Sequence, residues 1–144
     1  MILLLALLIL TATSIVDVHD GDTVTVILNG ERQRVRLYDI DAPELSQPGG
    51  RESRDYLRSL LTHPPDLDPH GEDRYGRTLA VLIVDGRDVN EEMVRAGHAW
   101  WFRRYAPSDE RLQKAEHQAR AAHRGLWAYP HPEAPWDYRR RRRP

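Results

Sequence analysis

The chain of 144 residues has no cysteine, so it can hold neither a disulfide framework nor a thiolate metal site. Lysine is nearly absent as well: Lys114 is the only one, and the other basic residues are arginine. The formal net charge is -1, and Arg139 to Arg143 supply five positive charges in a row. Without that run, 16 basic residues face 22 acidic ones, a net of -6. A nucleic-acid binder that relies on a broad basic surface does not look like this. Any handling of phosphate by such a body has to be local, through a metal ion or a few placed arginines. Long apolar runs are also missing. MILLLALLIL, residues 1–10, places nine apolar residues after the Met, too few for a helix that spans a bilayer. They fit the h-region of an export signal, with small residues at Ala12 to Ser14 for cleavage, although a basic n-region and a clean A-x-A site are lacking. A buried first strand is the alternative. The expectation is a secreted or membrane-associated protein whose residues 1–13 are a signal or apolar segment.

The length suits one domain with its own core. No internal repeat is visible. Residues 14–40 alternate apolar and polar side chains, and Asn29-Gly30 is a hairpin signal, because a type I′ turn needs positive φ at both central residues. Three antiparallel strands are predicted, about 14–19, 22–28 and 32–39. Pro48-Gly49-Gly50 breaks the chain, and Tyr56, Leu57, Leu60 and Leu61 then recur at helical spacing. TLAVLIV (78–84) reads as a buried strand, and VNEEMVRAG (89–97) as a short helix. Residues 108–125 form the clearest helix, with Ser108 able to cap it and Gly125 to close it. The stretch 63–73 holds three prolines where a fourth strand belongs, so that strand should be short, irregular or at an edge. The order, three strands, a helix, one or two strands and then two helices, fits a small antiparallel barrel with helices on one side, for which an OB-fold barrel is the obvious candidate. The domain spans 14–129, and 130–144 is a Pro-rich and Arg-rich tail.

Acidic residues cluster twice, as DGD at 20–22 and DIDAPE at 39–44, each at the end of a predicted strand. Asp22 and Asp41 suit opposite edges of one site, and hard oxygen ligands select Ca²⁺ or Mg²⁺. An EF-hand does not fit, because a loop starting at Asp20 has Thr25 where glycine is required. Taken alone, Asp-Gly-Asp is an ordinary tight turn. Arg74, Tyr75 and Arg77 precede the buried strand. A guanidinium fork suits two phosphate oxygens, although Arg77 could equally pair with one of the many acids. The seven histidines include no His-x-x-x-His pair. Trp100-Trp101-Phe102 could stack on bases, but core burial is the preferred reading for at least one Trp.

Five motifs, DVHDGDTVTV, VRLYDIDAPE, DRYGRTLA, DGRDVNEEMVRAGHAW and AEHQARAAHRGLW, occur in the order found in the thermonuclease, or staphylococcal-nuclease-like, family. The resemblance covers roughly residues 14–129. It implies an α+β, mainly β fold, a five-stranded OB-fold barrel with three helices, and a Ca²⁺-dependent phosphodiesterase, an endonuclease that cuts DNA and RNA. By resemblance, Asp22 and Asp41 are Ca²⁺ carboxylates, and Ala42 contributes its backbone carbonyl. Glu44 is the general base or water-positioning group, and Arg36 and Arg77 bind the scissile phosphate. Arg74, Tyr75 and Tyr105 line the nucleotide. The chain departs from the family at Arg103, where a tyrosine is usual, at Asp39, and in the proline-rich 63–70. DNA and RNA are the expected partners, with no stable protein partner and a monomeric state. The competing expectation is a non-catalytic OB module that binds nucleic acid or protein, possibly tethered to a membrane. The presence of Asp22, Arg36, Asp41, Glu44 and Arg77 together favours the enzyme.

Overall fold

The computed structural model describes residues 8–144, so the first seven residues of the expected signal segment lie outside it. Strands β1 (Leu10–Val18), β2 (Thr23–Leu28) and β3 (Glu31–Leu37) form the predicted antiparallel meander. Asn29 and Gly30 join β2 to β3 with φ of 52° and 79°, the positive pair that the turn demands. β1 starts four residues earlier than expected. Ala12 is buried in the core, its N–H donates to the Pro65 carbonyl, and Leu10 pairs with Leu67. The expected cleavage region at 12–14 therefore lies inside a barrel strand. Among the described residues, no helix is long and apolar enough to cross a membrane.

Next come the two-residue β4 (Ile40–Asp41) and helix α1 (Gly50–Leu60), which buries Leu57 and Ser53. The proline-rich stretch does form a strand, β5 (Asp66–Glu72), and it is irregular as predicted. Pro64 and Pro65 precede it, and its register to β6 (Thr78–Val84) shifts between Pro69 and Glu72, where Gly71 has φ 99°. A bulge frees the backbone where the ladder cannot continue. β6 is not buried on both faces. Ala80, Leu82 and Val84 point into the core, and the residues between them are half-exposed. β3 pairs with β6 in parallel, Val35 opposite Thr78 and Leu37 opposite Ala80, and this closes the five-stranded barrel. The barrel interior is filled by Val24, Val26, Val35, Leu37, Leu67 and Leu82.

The remaining elements brace one end of the barrel. β7 (Arg87–Asp88) leads into α2 (Val89–Arg95), capped by Asp88. Asn90 is buried, and its side chain accepts from Leu82 N–H at 3.1 Å and donates to the carbonyls of Tyr38 and Ala80. One amide thus satisfies three backbone groups and ties the chain after β3 to α2. β8 (Trp100–Trp101) pairs with β4, so Asp41 lies opposite Trp100. Helix α3 (Glu110–Ala121) is capped by Asp109 rather than Ser108, through Leu112 N–H. Its buried Glu116 accepts from Trp101 N–H at 2.8 Å, which fixes β8 and hence β4. A 3₁₀ turn, Gly125–Ala128, follows. A fourth helix, α4 (Pro135–Arg141), was not predicted. It has Pro at its first turn, where a missing N–H costs nothing. Tyr138 and Ala134 are buried, and Trp136 packs edge-on against Trp100 and Phe102. Residues 134–141 are part of the packed body, not a tail beyond it.

Candidate active site

The turn between β1 and β2 carries Asp20 and Asp22, and β4 carries Asp41. Gly21 lets the two loops close up: a Cβ there would sit 2.7 Å from Ala42 Cβ and 2.8 Å from Ser53 Cβ. The resulting contact is an Asp22 Oδ2 to Ala42 N–H hydrogen bond of 2.7 Å. The Ala42 amide thus orients Asp22. The second oxygen of Asp22 accepts from Thr23 Oγ1 at 3.0 Å.

Arg36, on β3, lies between the two aspartates. Its Nη2 is 3.3 Å from Asp22 Oδ2 and 3.3 Å from Asp41 Oδ1. Its Nη1 donates to the carbonyls of Leu37 and Ile40 at 2.7 and 2.9 Å. Four acceptors hold this guanidinium rigidly beside the carboxylates. Glu44 follows Pro43 at the end of the loop. Its N–H donates to Gln47 Oε1 at 3.2 Å, and Gly50 allows the start of α1 to approach the Glu44 carbonyl, which a Cβ would strike.

Charge is tuned by burial. Burial and the neighbouring Asp22 charge push the Asp20 carboxyl up to about 8. Burial alone would also raise Asp22. Arg36, the Asp20 carboxyl and the Ala42 and Thr23 donors outweigh it, and Asp22 stays below the usual range. Asp41 is fully buried, which pushes it up to about 6 despite its two arginine partners. The donors around Asp22 thus favour its ionised form, whereas burial favours the protonated form of Asp20.

Arg74, Tyr75 and Arg77 lie in the turn between β5 and β6. Asp73 organises it, accepting from the N–H groups of Tyr75 and Arg77 and from Arg77 Nε at 2.7 Å. Arg77 does pair with an acid, but only through Nε. Among the described residues its two Nη groups have no hydrogen-bond partner. Tyr75 and Tyr105 are largely exposed, and Tyr105 stacks on Phe102 with ring centroids 4.6 Å apart. A single cleft of about 810 Å³ is lined by Asp22, Arg36, Asp41, Glu44, Arg74, Tyr75, Arg77 and Tyr105 together. Every expected site residue except Ala42 lines this space. Arg103 does not line it. Its guanidinium is 3.6 Å from Glu116 and lies over Trp101. Both Trp100 and Trp101 are buried, so neither offers a base-stacking face.

Five charged residues line the cleft beyond the expected set: Asp20, Asp39, Asp73, Arg139 and Arg143. Asp20 belongs to the DGD cluster and Asp73 opens the DRYGRTLA motif, but neither is among the expected site residues. Arg139 of α4 donates to Asp41 Oδ2 at 2.7 Å, to Asp41 Oδ1 at 3.1 Å and to Glu44 Oε1 at 3.1 Å. The available signal was the pair Trp136 and Tyr138, large aromatics inside a charged stretch that need a surface to pack on.

The family model for staphylococcal nuclease homologues matches residues 34–129. The chain belongs to the staphylococcal nuclease family. The "Uncharacterized endonuclease" of Escherichia coli O157:H7 is 42% identical over 130 residues, covering 89% of this chain and 84% of that protein. A "Micrococcal nuclease" of Shigella flexneri is 37% identical over 137 residues, covering 88% of this chain and 79% of its own length. An "Uncharacterized endonuclease" of Haemophilus influenzae is 41% identical over 128 residues, with 88% and 71% covered. As a member of the staphylococcal nuclease family, the protein is a hydrolase, a nuclease acting on phosphodiester bonds, built on an OB-type barrel.

The metal expected of the staphylococcal nuclease family can be tested against these residues. Among the described residues, no three His, Cys, Asp or Glu side chains converge into a ready-made cage. The donors that do converge, Asp22 and Asp41, are hard carboxylate oxygens, and they already gather cationic guanidiniums. That donor set fits a hard divalent cation completed by water and substrate oxygens.

Proposed function

We propose that the protein is a Ca²⁺-dependent, sugar-nonspecific endonuclease that hydrolyses phosphodiester bonds of both DNA and RNA. The observation that carries this reading is the bridge of Arg36 between Asp22 and Asp41, at 3.3 Å to each, in the cleft that also holds Glu44 and Arg77. Asp22 and Asp41 would hold the ion, with Asp22 aimed by the Ala42 N–H. Bound Ca²⁺ would supply Lewis-acid neutralisation of a phosphate oxygen. Arg36 and the free end of Arg77 bind the other phosphate oxygens, more tightly as charge builds in the five-coordinate transition state. Glu44 accepts a proton from the attacking water as its oxygen bonds to phosphorus and the bond to the 5′ oxygen breaks. Tyr75 and Tyr105 offer exposed rings to the flanking nucleotides. All these groups address phosphate or base faces, which DNA and RNA share. A single chain suffices for this machinery. Export rests on residues 1–10 alone, and N-terminal sequencing of the protein recovered from culture medium checks it.

The direct test incubates the purified protein with plasmid DNA and with RNA, in Ca²⁺ and then in a Ca²⁺ chelator. Both substrates should be degraded with Ca²⁺ and neither with chelator, and undiminished cutting in chelator overturns the metal assignment. Glu44→Gln should lower turnover by at least ~10²-fold, the scale of lost general-base catalysis. Arg77→Lys keeps charge but loses the fork, and should cost on the order of 10²–10³ in kcat. Full activity in both variants would show that the site is elsewhere.

A further inference from the structure

Arg139 contacts the carboxylates of the cleft and none of its phosphate-binding arginines. Its two Nη groups take both oxygens of Asp41, and one of them also reaches Glu44. The position therefore mimics a cation bound between two acids, not an anionic substrate. We propose that Arg139 is a built-in counter-ion for the metal site: it holds Asp41 and Glu44 while the metal is away, and the metal displaces it. This rests on the Ca²⁺ reading above.

Three observations support a side chain that swaps on a fixed backbone. First, α4 is anchored independently of Arg139. Tyr138 is buried with its hydroxyl 2.8 Å from Ser46 Oγ, and Gln47 Nε2 donates to the Glu133 carbonyl at 2.6 Å. Second, that anchor is the loop bearing Glu44, since Gln47 also accepts the Glu44 N–H. The guanidinium is thus presented to the same loop that must serve the reaction. Third, the Arg139 side chain is 36% exposed, so it can turn out to water without undocking α4, whereas Asp41 at 0% cannot leave. A divalent ion at Asp41 would compete with Arg139 for oxygens that already accept from Arg139 and, at Oδ1, from Arg36. The like charges would also repel at this distance, with little solvent to screen them. Without any cation, Asp41 would be a buried carboxylate beside Asp22 and held only by Arg36, a costly arrangement. Arg139 lowers that cost in the metal-free protein and opposes metal entry by the same contact.

The test compares calorimetric Ca²⁺ binding and the unfolding midpoint in chelator for the full-length wild type, Arg139→Gln and Arg140→Gln. Arg140 is exposed and pairs with Asp137, so its substitution removes the same charge without touching the site. Arg139→Gln should bind Ca²⁺ more tightly by on the order of tenfold, within the usual range of coupling between two sites. Its midpoint in chelator should fall, while Arg140→Gln matches wild type in both. Should Arg139→Gln not fold, Arg139→Lys keeps the charge but loses the fork, and should show a smaller gain in affinity. Equal or weaker Ca²⁺ binding in the Arg139 variant overturns the proposal, as does the same gain in Arg140→Gln. A wild type that neither binds Ca²⁺ nor needs it for cutting sinks the Ca²⁺ reading, and the counter-ion with it. Wild-type binding with no gain sinks the counter-ion alone.

Discussion

Asp39 sits at φ 63°, a left-handed conformation that Asp and Asn tolerate better than other residues with a Cβ. This accounts for an acid beside the metal loop: the turn after β3 needs the backbone, and the charge is incidental. The charge carries a cost. One carboxylate oxygen is buried with no partner among the described residues, and burial together with Asp109 pushes the group up to about 6. A folded-state pKa above the usual 3.8 means that the native state holds the proton more tightly than the unfolded chain. That contribution is fully present below about pH 4 and is lost as pH rises through about 6. Asp39→Asn keeps the left-handed turn and removes the charge. In chelator it should therefore match wild type near pH 4 and unfold at a higher denaturant midpoint above pH 7. A variant that is less stable at pH 8 would show that the ionised carboxylate is needed there.

At the level of elements, β1 and α4 are where local pattern and final structure part. The apolar N-terminal residues read as a leader, yet Leu10 to Thr13 complete a barrel strand. Leu10 and Thr11 pair with Leu67 and Asp66, Thr11 Oγ1 donates to Asp66 at 3.0 Å, and Ala12 N–H reaches Pro65. A chain beginning at Ser14 loses these links, and β5 then loses its only partner besides β6 among the described residues. Two hydrogen bonds at about 1 kcal/mol each, plus the β1–β5 pairing and the burial of Ala12 and part of Leu10, put the loss at roughly 3–5 kcal/mol. Equilibrium unfolding of chains beginning at Leu8 and at Ser14 measures it. Identical stability would mean that β1 needs only its second half. α4 differs in kind: seven residues are too few to hold a helix on their own, so its helicity depends on Trp136 and Tyr138 finding a surface.

For the molecule as a whole, charge distribution matters more than net charge. Five arginines, Arg36, Arg74, Arg77, Arg139 and Arg143, line one cleft, where they face six acids: Asp20, Asp22, Asp39, Asp41, Glu44 and Asp73. The Arg139 to Arg143 run thus divides its labour. Arg140 and Arg141 are tied to Asp137 and Glu133, Arg139 enters the metal site, and Arg143 lines the cleft mouth. Nucleic acid held at that mouth should release counterions in proportion to the phosphates met by such groups. Arg143→Ala should reduce the slope of log affinity against log salt by about 1, measured on a duplex in chelator. Arg140→Ala should change it less. Equal effects at the two positions would mean that the arginine run acts as a diffuse cloud and not as a lining of the cleft.

The sequence by itself determined the barrel meander, its Asn29-Gly30 turn, the irregular proline-bearing strand and the two acid clusters that bear Asp22 and Asp41, whereas the set of residues around them, Tyr105 included, came from the resemblance to the staphylococcal-nuclease-like family. The meander, the turn, the strand and the acid clusters follow from local rules, because side-chain alternation, turn conformation and acid clustering act over a few neighbouring positions. Tertiary structure alone decided which groups meet across long separations. Arg139 reaches Asp41 across 98 positions, and Asn90 reaches Tyr38 across 52. No periodicity records such contacts, since each depends on how helices dock against the barrel end and on which buried charges are left needing a partner.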